Sequence, residues 1–172
     1  LVGAPSDDEA GVNAGAAYAF GFGVATAGDK LLPTSDGGTD TRAGDMFGSA
    51  VAFDQNLFVI GAPRDTHSGK QHAGSVYVVS TDNPWSTTTG QFAKLKKAAT
   101  AVDNYDYFGT SVDVDVFGGG GGRDSVYIVV GTPKDDAAGE DAGATYVFNS
   151  STMVADHTNG GGLTSIVQLG NA

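Results

Sequence analysis

One motif set returns along this chain and limits what it can fold into. Phe47-Gly48-Ser49 comes back as Phe108-Gly109-Thr110, about 60 residues later. A Gly-x-Pro triplet occurs as Gly3-Ala4-Pro5, Gly61-Ala62-Pro63 and Gly131-Thr132-Pro133. In each copy a Gly-led apolar run begins 12 or 13 residues after the first glycine of the triplet: GAAYAF (15–20), GSVYVV (74–79) and GATYVF (143–148). Two landmarks at one separation in three copies are hard to obtain by chance. Units this small cannot bury a core alone, so neighbours must cover one another.

The runs within each unit have strand character. In the middle copy FGSAVAF (47–53) alternates, LFVI (57–60) is a short apolar run, and GSVYVV is β-branched and aromatic. Asp54-Gln55-Asn56 is the turn between the first two. QFAKLKK (91–97) reads as a fourth strand whose lysines Lys94, Lys96 and Lys97 guard an edge. The first copy supplies LVGA (1–4), the 15–20 run and KLLPT (30–34), with Pro33 suited to an edge. The third supplies SVDVDVF (111–117), a five-glycine turn (118–122), SVYIVV (125–130), the 143–148 run and LTSIVQL (163–169). The expected fold is all-β: propeller blades of four antiparallel strands, about two and three-quarters of them. The divisions are 1–38 (strands two to four of a blade), 39–103 and 104–172 (complete blades). Propellers usually need at least about four blades to close, and the sequence opens on Leu1 in mid-strand. The chain is therefore expected to be a segment of a larger propeller.

Composition excludes several functions. A net charge of −11 argues against nucleic acid, whose phosphates need a basic surface. No apolar run approaches the roughly 20 residues of a membrane-spanning helix, and no signal peptide is visible. Zero cysteines remove disulfide and thiol chemistry. There is no G-x-S-x-G, no P-loop and no nucleophile beside an evident base. No catalytic residue is assigned, and the chain is not expected to be an enzyme.

Phe47-Gly48-Ser49, then Val-x-Gly-Ala-Pro (59–63), then Gly-x-x-Tyr at 74–77 resemble the FG-GAP repeat. That repeat builds the propeller at the head of integrin α subunits, and the version here looks more like that of microbial and algal surface proteins. The resemblance implies a non-catalytic module, extracellular or at the cell surface. It would serve adhesion or structure in a surface or filament assembly, with further blades of the same polypeptide or other protein subunits as partners. The alternative is a carbohydrate-binding or enzyme-associated propeller that holds glycans in its rim loops with the help of calcium. Family members bind calcium in the hairpin between strands one and two. Here the second unit is too short there, and the third offers Asp113, Asp115 and Asp124 as a degenerate set. A hard cation wants six to eight oxygens, and the competing reading is solvated carboxylates at a hairpin end.

The acidic loops carry Asp7, Asp8 and Glu9, then Asp65, then Asp135, Asp136, Glu140 and Asp141. They could present carboxylates to a cation or a basic partner, but solvated turn-capping is the favoured reading. Asp45 and Asp106, each two residues before a Phe-Gly, read as turn-bonding. Tyr18, Tyr77 and Tyr146 read as packing between blades with their hydroxyls at the rim. Trp85 is either a binding aromatic or a cover for its blade edge. His67, His72 and His157 lack the HExxH context, so zinc is not expected. Asn149-Ser150-Ser151 fits the N-glycosylation pattern, which makes Asn149 a candidate sugar acceptor.

Overall fold

A computed structural model describes residues 1–21, 29–32, 34–35, 38–39, 42–55, 57–80, 92–98, 100–117, 125–149 and 167–169. Trp85, Asp124 and His157 lie outside the described residues. Every regular element among those described is a strand. β1 (Val2–Ala4), β2 (Ala16–Ala19) and β3 (Asp29–Leu31) form a three-stranded sheet in that order. β4 (Thr34–Ser35) and β5 (Gly38–Thr39) pair as a short hairpin in the first crossover. β6 (Ala50–Asp54), β7 (Leu57–Ala62), β8 (Ser75–Ser80) and β9 (Phe92–Leu95) form a four-stranded sheet. β10 (Ser111–Phe117), β11 (Ser125–Thr132), β12 (Ala144–Asn149) and β13 (Val167–Leu169) form another. All pairings within the sheets are antiparallel between sequence neighbours, so each sheet is a meander of the kind expected for a propeller blade.

The registers put equivalent residues on equivalent faces. Ala50 pairs with Gly61 in the second sheet, and Ser111 with Gly131 in the third. Tyr18 pairs with Lys30 and Tyr77 with Lys94, whereas Tyr146 pairs with Gln168. Side chains alternate across each sheet. On the second sheet Ile60, Tyr77 and Val79 therefore turn toward the first blade and cluster with Ala17 and Phe47. Val59, Val76, Val78 and Leu95 turn the other way and cluster with Val114, Val116, Ile128, Val130 and Phe148 of the third blade. The core is thus the two seams between three sheets. Both faces of the middle sheet are buried, which explains why its strands carry so few polar side chains.

The Phe-Gly pairs sit in the seams rather than in strands. The alternation predicted a strand from residue 47, but β6 begins at Ala50. Phe47-Gly48 instead runs beside the loop of the previous blade in a parallel bridge with Gly15. The amides of Gly44, Met46 and Phe47 donate to the carbonyls of Val12, Asn13 and Ala14 at 2.9, 3.1 and 2.9 Å. The pattern repeats one blade on: Tyr105, Tyr107 and Phe108 donate to Gln71, His72 and Ala73 at 2.8, 3.1 and 3.0 Å. Both phenylalanines are fully buried, each edge-on to the tyrosine of its own blade, Phe47 to Tyr77 at 5.3 Å and Phe108 to Tyr146 at 5.6 Å. A glycine is needed opposite. A Cβ on Gly74, whose φ is +84°, would lie far inside van der Waals contact with the Phe108 carbonyl oxygen. The Asp54 turn adds a second clasp on the same seam: Asp54 Oδ2 accepts the Val116 amide at 2.6 Å, and Gln55 Nε2 donates to the Val116 carbonyl at 2.7 Å.

Candidate functional site

The loops joining the second and third strands of each blade lie at the seams. Each begins Gly-x-Pro-x-Asp, which places Asp7, Asp65 and Asp135 at matched positions. They were expected to be solvated. Asp65 and Asp135 are instead buried, and Asp7 is half-buried. The backbone of each loop closes on this aspartate: Gly15, Gly74 and Gly143 donate to the carbonyls of Asp7, Asp65 and Asp135 at 2.9, 3.0 and 3.0 Å. That closure turns the carboxylate inward, onto the third strand.

There a tyrosine and a lysine meet it. Tyr18 Oη donates to Asp7 Oδ2 at 2.9 Å, and Lys30 Nζ lies 2.7 Å from Asp7 Oδ1 and 2.6 Å from Glu9 Oε2. The Lys30 bond and the Glu9 amide hold the Asp7 carboxyl below its ordinary pKa, and the same carboxylates push the Lys30 ammonium up. In the second blade Lys94 Nζ reaches Asp65 Oδ2 at 2.6 Å and sits 5.2 Å from the centre of the Tyr77 ring. Ser75 Oγ also donates to Asp65 Oδ2.

The third blade solves the same problem differently. Gln168 stands at the lysine position beside Tyr146. The cation comes from the neighbouring blade: Lys97 Nζ lies 2.6 Å from Asp135 Oδ2 and 2.9 Å from Asp106 Oδ2, with Lys97 2 % exposed and both carboxylates fully buried. Tyr146 Oη donates to Asp135 Oδ2, and the Ala137 amide donates to Asp135 Oδ1 at 2.9 Å. Burial alone would raise the Asp135 pKa. The Lys97 ammonium, the Tyr146 hydroxyl and the Ala137 amide more than offset it, so the carboxyl lies below its usual range. Burial and the Asp135 contact push the Tyr146 phenol up.

Two expectations about side chains are corrected here. Lys94 and Lys97 do not guard an edge; they turn into the seams, and only Lys96 of the three is exposed. The hydroxyls of Tyr18 and Tyr146 are not at the rim but on aspartates. Asp45 and Asp106 do bond turns: each accepts the amide three residues before it, Arg42 and Asp103, at 2.7 Å. What remains outside is a second set of carboxylates, Asp8, Glu9, Asp136, Glu140 and Asp141, all exposed. Asp8 and Asp136 accept the amides of Asn13 and Asp141 at 2.7 Å, which fixes the loops that carry the others.

Asp113 and Asp115 project from the same exposed face of β10, within the strand rather than in its hairpin loop. Asp113 Oδ1 accepts the next residue's own amide at 3.0 Å. Asp124 is not among the described residues, and those described contain no group of three metal-ligating side chains. Asn149 closes β12 and is half-buried. His67 is buried, with Nε2 2.9 Å from the Gly74 carbonyl, and burial lowers its pKa, so it stands neutral as a donor to that carbonyl. His72 packs edge-on against Tyr105 at 5.3 Å.

Antiparallel blades stacked through a repeated Phe-Gly wedge make this a propeller-type repeat protein. Residues 38–79, which run from β5 through the Phe-Gly lead-in to β8, match the family model of the FG-GAP repeat. No curated protein was found to match the chain. Among the described residues no helix is long and apolar enough to cross a membrane.

Proposed function

We propose that the chain is a non-catalytic structural and adhesive module of an extracellular or cell-surface assembly, built from FG-GAP blades that make protein–protein contacts. The observation that carries this is how the charged groups are used. In each blade the inward aspartate is met by lysine, hydroxyl or backbone donors, as a scaffold requires. The outward carboxylates Asp8, Glu9, Asp136, Glu140 and Asp141 stand on loops fixed by their own hydrogen bonds. Fixed loops of net negative charge, even with Lys30 on Glu9 and Lys134 on Asp141, suit a basic partner surface, which they would attract through long-range steering. FG-GAP domains in general act by binding rather than by turnover, and the buried titratable groups here serve packing.

The test is labelling of intact source cells with a membrane-impermeant amine reagent, followed by capture with an antibody to this segment. The native polypeptide is expected to be labelled before lysis, at Lys96 among other sites. Labelling only after lysis would reject the surface assignment.

A further inference from the structure

We propose that the outer end of the third blade, at Gly131, Ala142, Gly143 and Thr145, is a preformed socket for the Asp-x-Phe-Gly lead-in of a further FG-GAP blade. This rests on the propeller reading above and names the partner chemistry of one surface within it.

The two occupied seams define what such a socket looks like. A loop with a left-handed residue before the last alanine offers three carbonyls in a row. Those residues are Asn13, with φ +51°, and His72, with φ +49°. Asp141 has φ +52° and precedes Ala142 and Gly143 in the same order. The carbonyls of Glu140, Asp141 and Ala142 therefore stand where those of Val12, Asn13 and Ala14, and of Gln71, His72 and Ala73, receive the incoming strand. Burial separates the used sockets from this one. Ala14 and Ala73 are fully covered, while Ala142 is exposed. Val76 and Val59 are fully covered in the second blade; their counterparts Thr145 and Val129 are exposed, Val129 to 38 %. Phe117 and Tyr127 continue this open face as an exposed edge-on pair.

The space is already shaped. A Cβ on Gly3 or Gly61 would strike the carbonyl of Gly48 or Gly109 from the following blade, whereas one on Gly131 meets only Ser111 of its own hairpin. An open depression of about 310 Å³ takes the place of the wedge, lined by Thr110, Gly131, Pro133, Gly143 and Thr145 among others. Asp115 stands in register with Asp54, whose carboxylate accepts the Val116 amide across the occupied seam. A second copy of this chain is the poorer occupant, because both of its Phe-Gly pairs are buried in its own seams.

The test uses the whole chain carrying Thr145→Cys, which introduces the sole thiol. Alone, it is expected to react with Ellman's reagent as an exposed thiol. A chain extended after Ala172 by a second copy of residues 39–97, the blade whose buried Asp65 is paired with Lys94 of its own sheet, is expected to react at least about 10-fold more slowly, because the tether holds the added blade at high effective concentration. Alanine in place of the phenylalanine in the added copy of Phe47-Gly48 should restore the fast rate. Equal rates in the plain and extended chains would overturn the proposal. So would an added blade without amide-exchange protection, since a blade folds by stacking on its neighbour. Protection that rises with the concentration of the unextended chain would give the socket to a second copy, and would also overturn it. None of these outcomes bears on surface labelling, so the two readings fail separately.

Discussion

Lys97→Met is expected to cost about 3–5 kcal/mol of unfolding free energy at neutral pH, read from urea denaturation. The methionine keeps most of the stem but removes the only ammonium 2.6 Å from Asp135 and 2.9 Å from Asp106. Two buried carboxylates are then left in the seam without their cation. Replacing a whole buried ion network with apolar groups can be neutral, but removing one partner leaves charge uncompensated. The sign of the pH dependence follows. The folded-state pKa of Asp135 is depressed, so its contribution is present above the unfolded value of about 4 and is lost as pH falls through the folded value. In Lys97→Met the Asp135 carboxylate lacks its cation and gains from protonation. The difference between the two proteins should therefore shrink from pH 7 toward pH 3. A cost under about 1 kcal/mol at pH 7, or a difference that widens in acid, would mean that this network does not hold the seam.

Gly74→Val should do comparable damage by a different route. The position has φ +84°, and its new Cβ would drive into the Phe108 carbonyl oxygen, which is fixed backbone. The crossover has to lift, and with it the amides of Tyr105, Tyr107 and Phe108 lose their acceptors. A loss above about 4 kcal/mol is expected, at the far end of the range for single substitutions. Amide exchange should locate it: protection should vanish first at residues 105–109, while β6 and β7 stay protected. Gly69→Ala is the control. It imposes a similar left-handed strain, φ +75°, with nothing within 4 Å of the new methyl. It should cost only about 1–2 kcal/mol. Equal costs at the two sites would show that backbone strain, not the wedge, is what Gly74 relieves.

Much of this architecture was legible in the residues. The strands of the second blade were readable because both of its faces are buried and its turns are marked by Asp54-Gln55 and Gly61-Ala62-Pro63. Meander order followed from the repeat, since each copy presents its runs in the same sequence. The role of Phe47-Gly48 was not legible. Alternation carried the strand back to residue 47, yet the amides there bond the preceding blade, a contact that no local pattern encodes. The acidic loops misled for a related reason. Asp135 and Asp136 are adjacent acids in one loop; the loop closure on the Asp135 carbonyl and the lysine of the neighbouring blade turn the first inward, while the second stays exposed. Lys94 and Lys97 resembled edge guards because their partners lie in other strands and another blade. One signal could have exposed the network: at the position paired with the third-strand tyrosine, Lys30 and Lys94 give way to Gln168. A missing cation beside a retained Gly-x-Pro-x-Asp loop calls for a substitute nearby.

That substitute makes the dependence between neighbours one-sided. Asp65 draws its ammonium from its own sheet, whereas Asp135 borrows one from the sheet before it. The second blade can thus neutralise its own buried acid, and the third cannot do so unless the second is already beside it. Near-identical modules carry an inherent danger of joining in the wrong sequence. A lysine lent in only one direction works against that error, because a third blade stacked on the face of the first would find no ammonium waiting unless one happened to sit where Lys97 does. Assembly order is written into which blade gives and which receives.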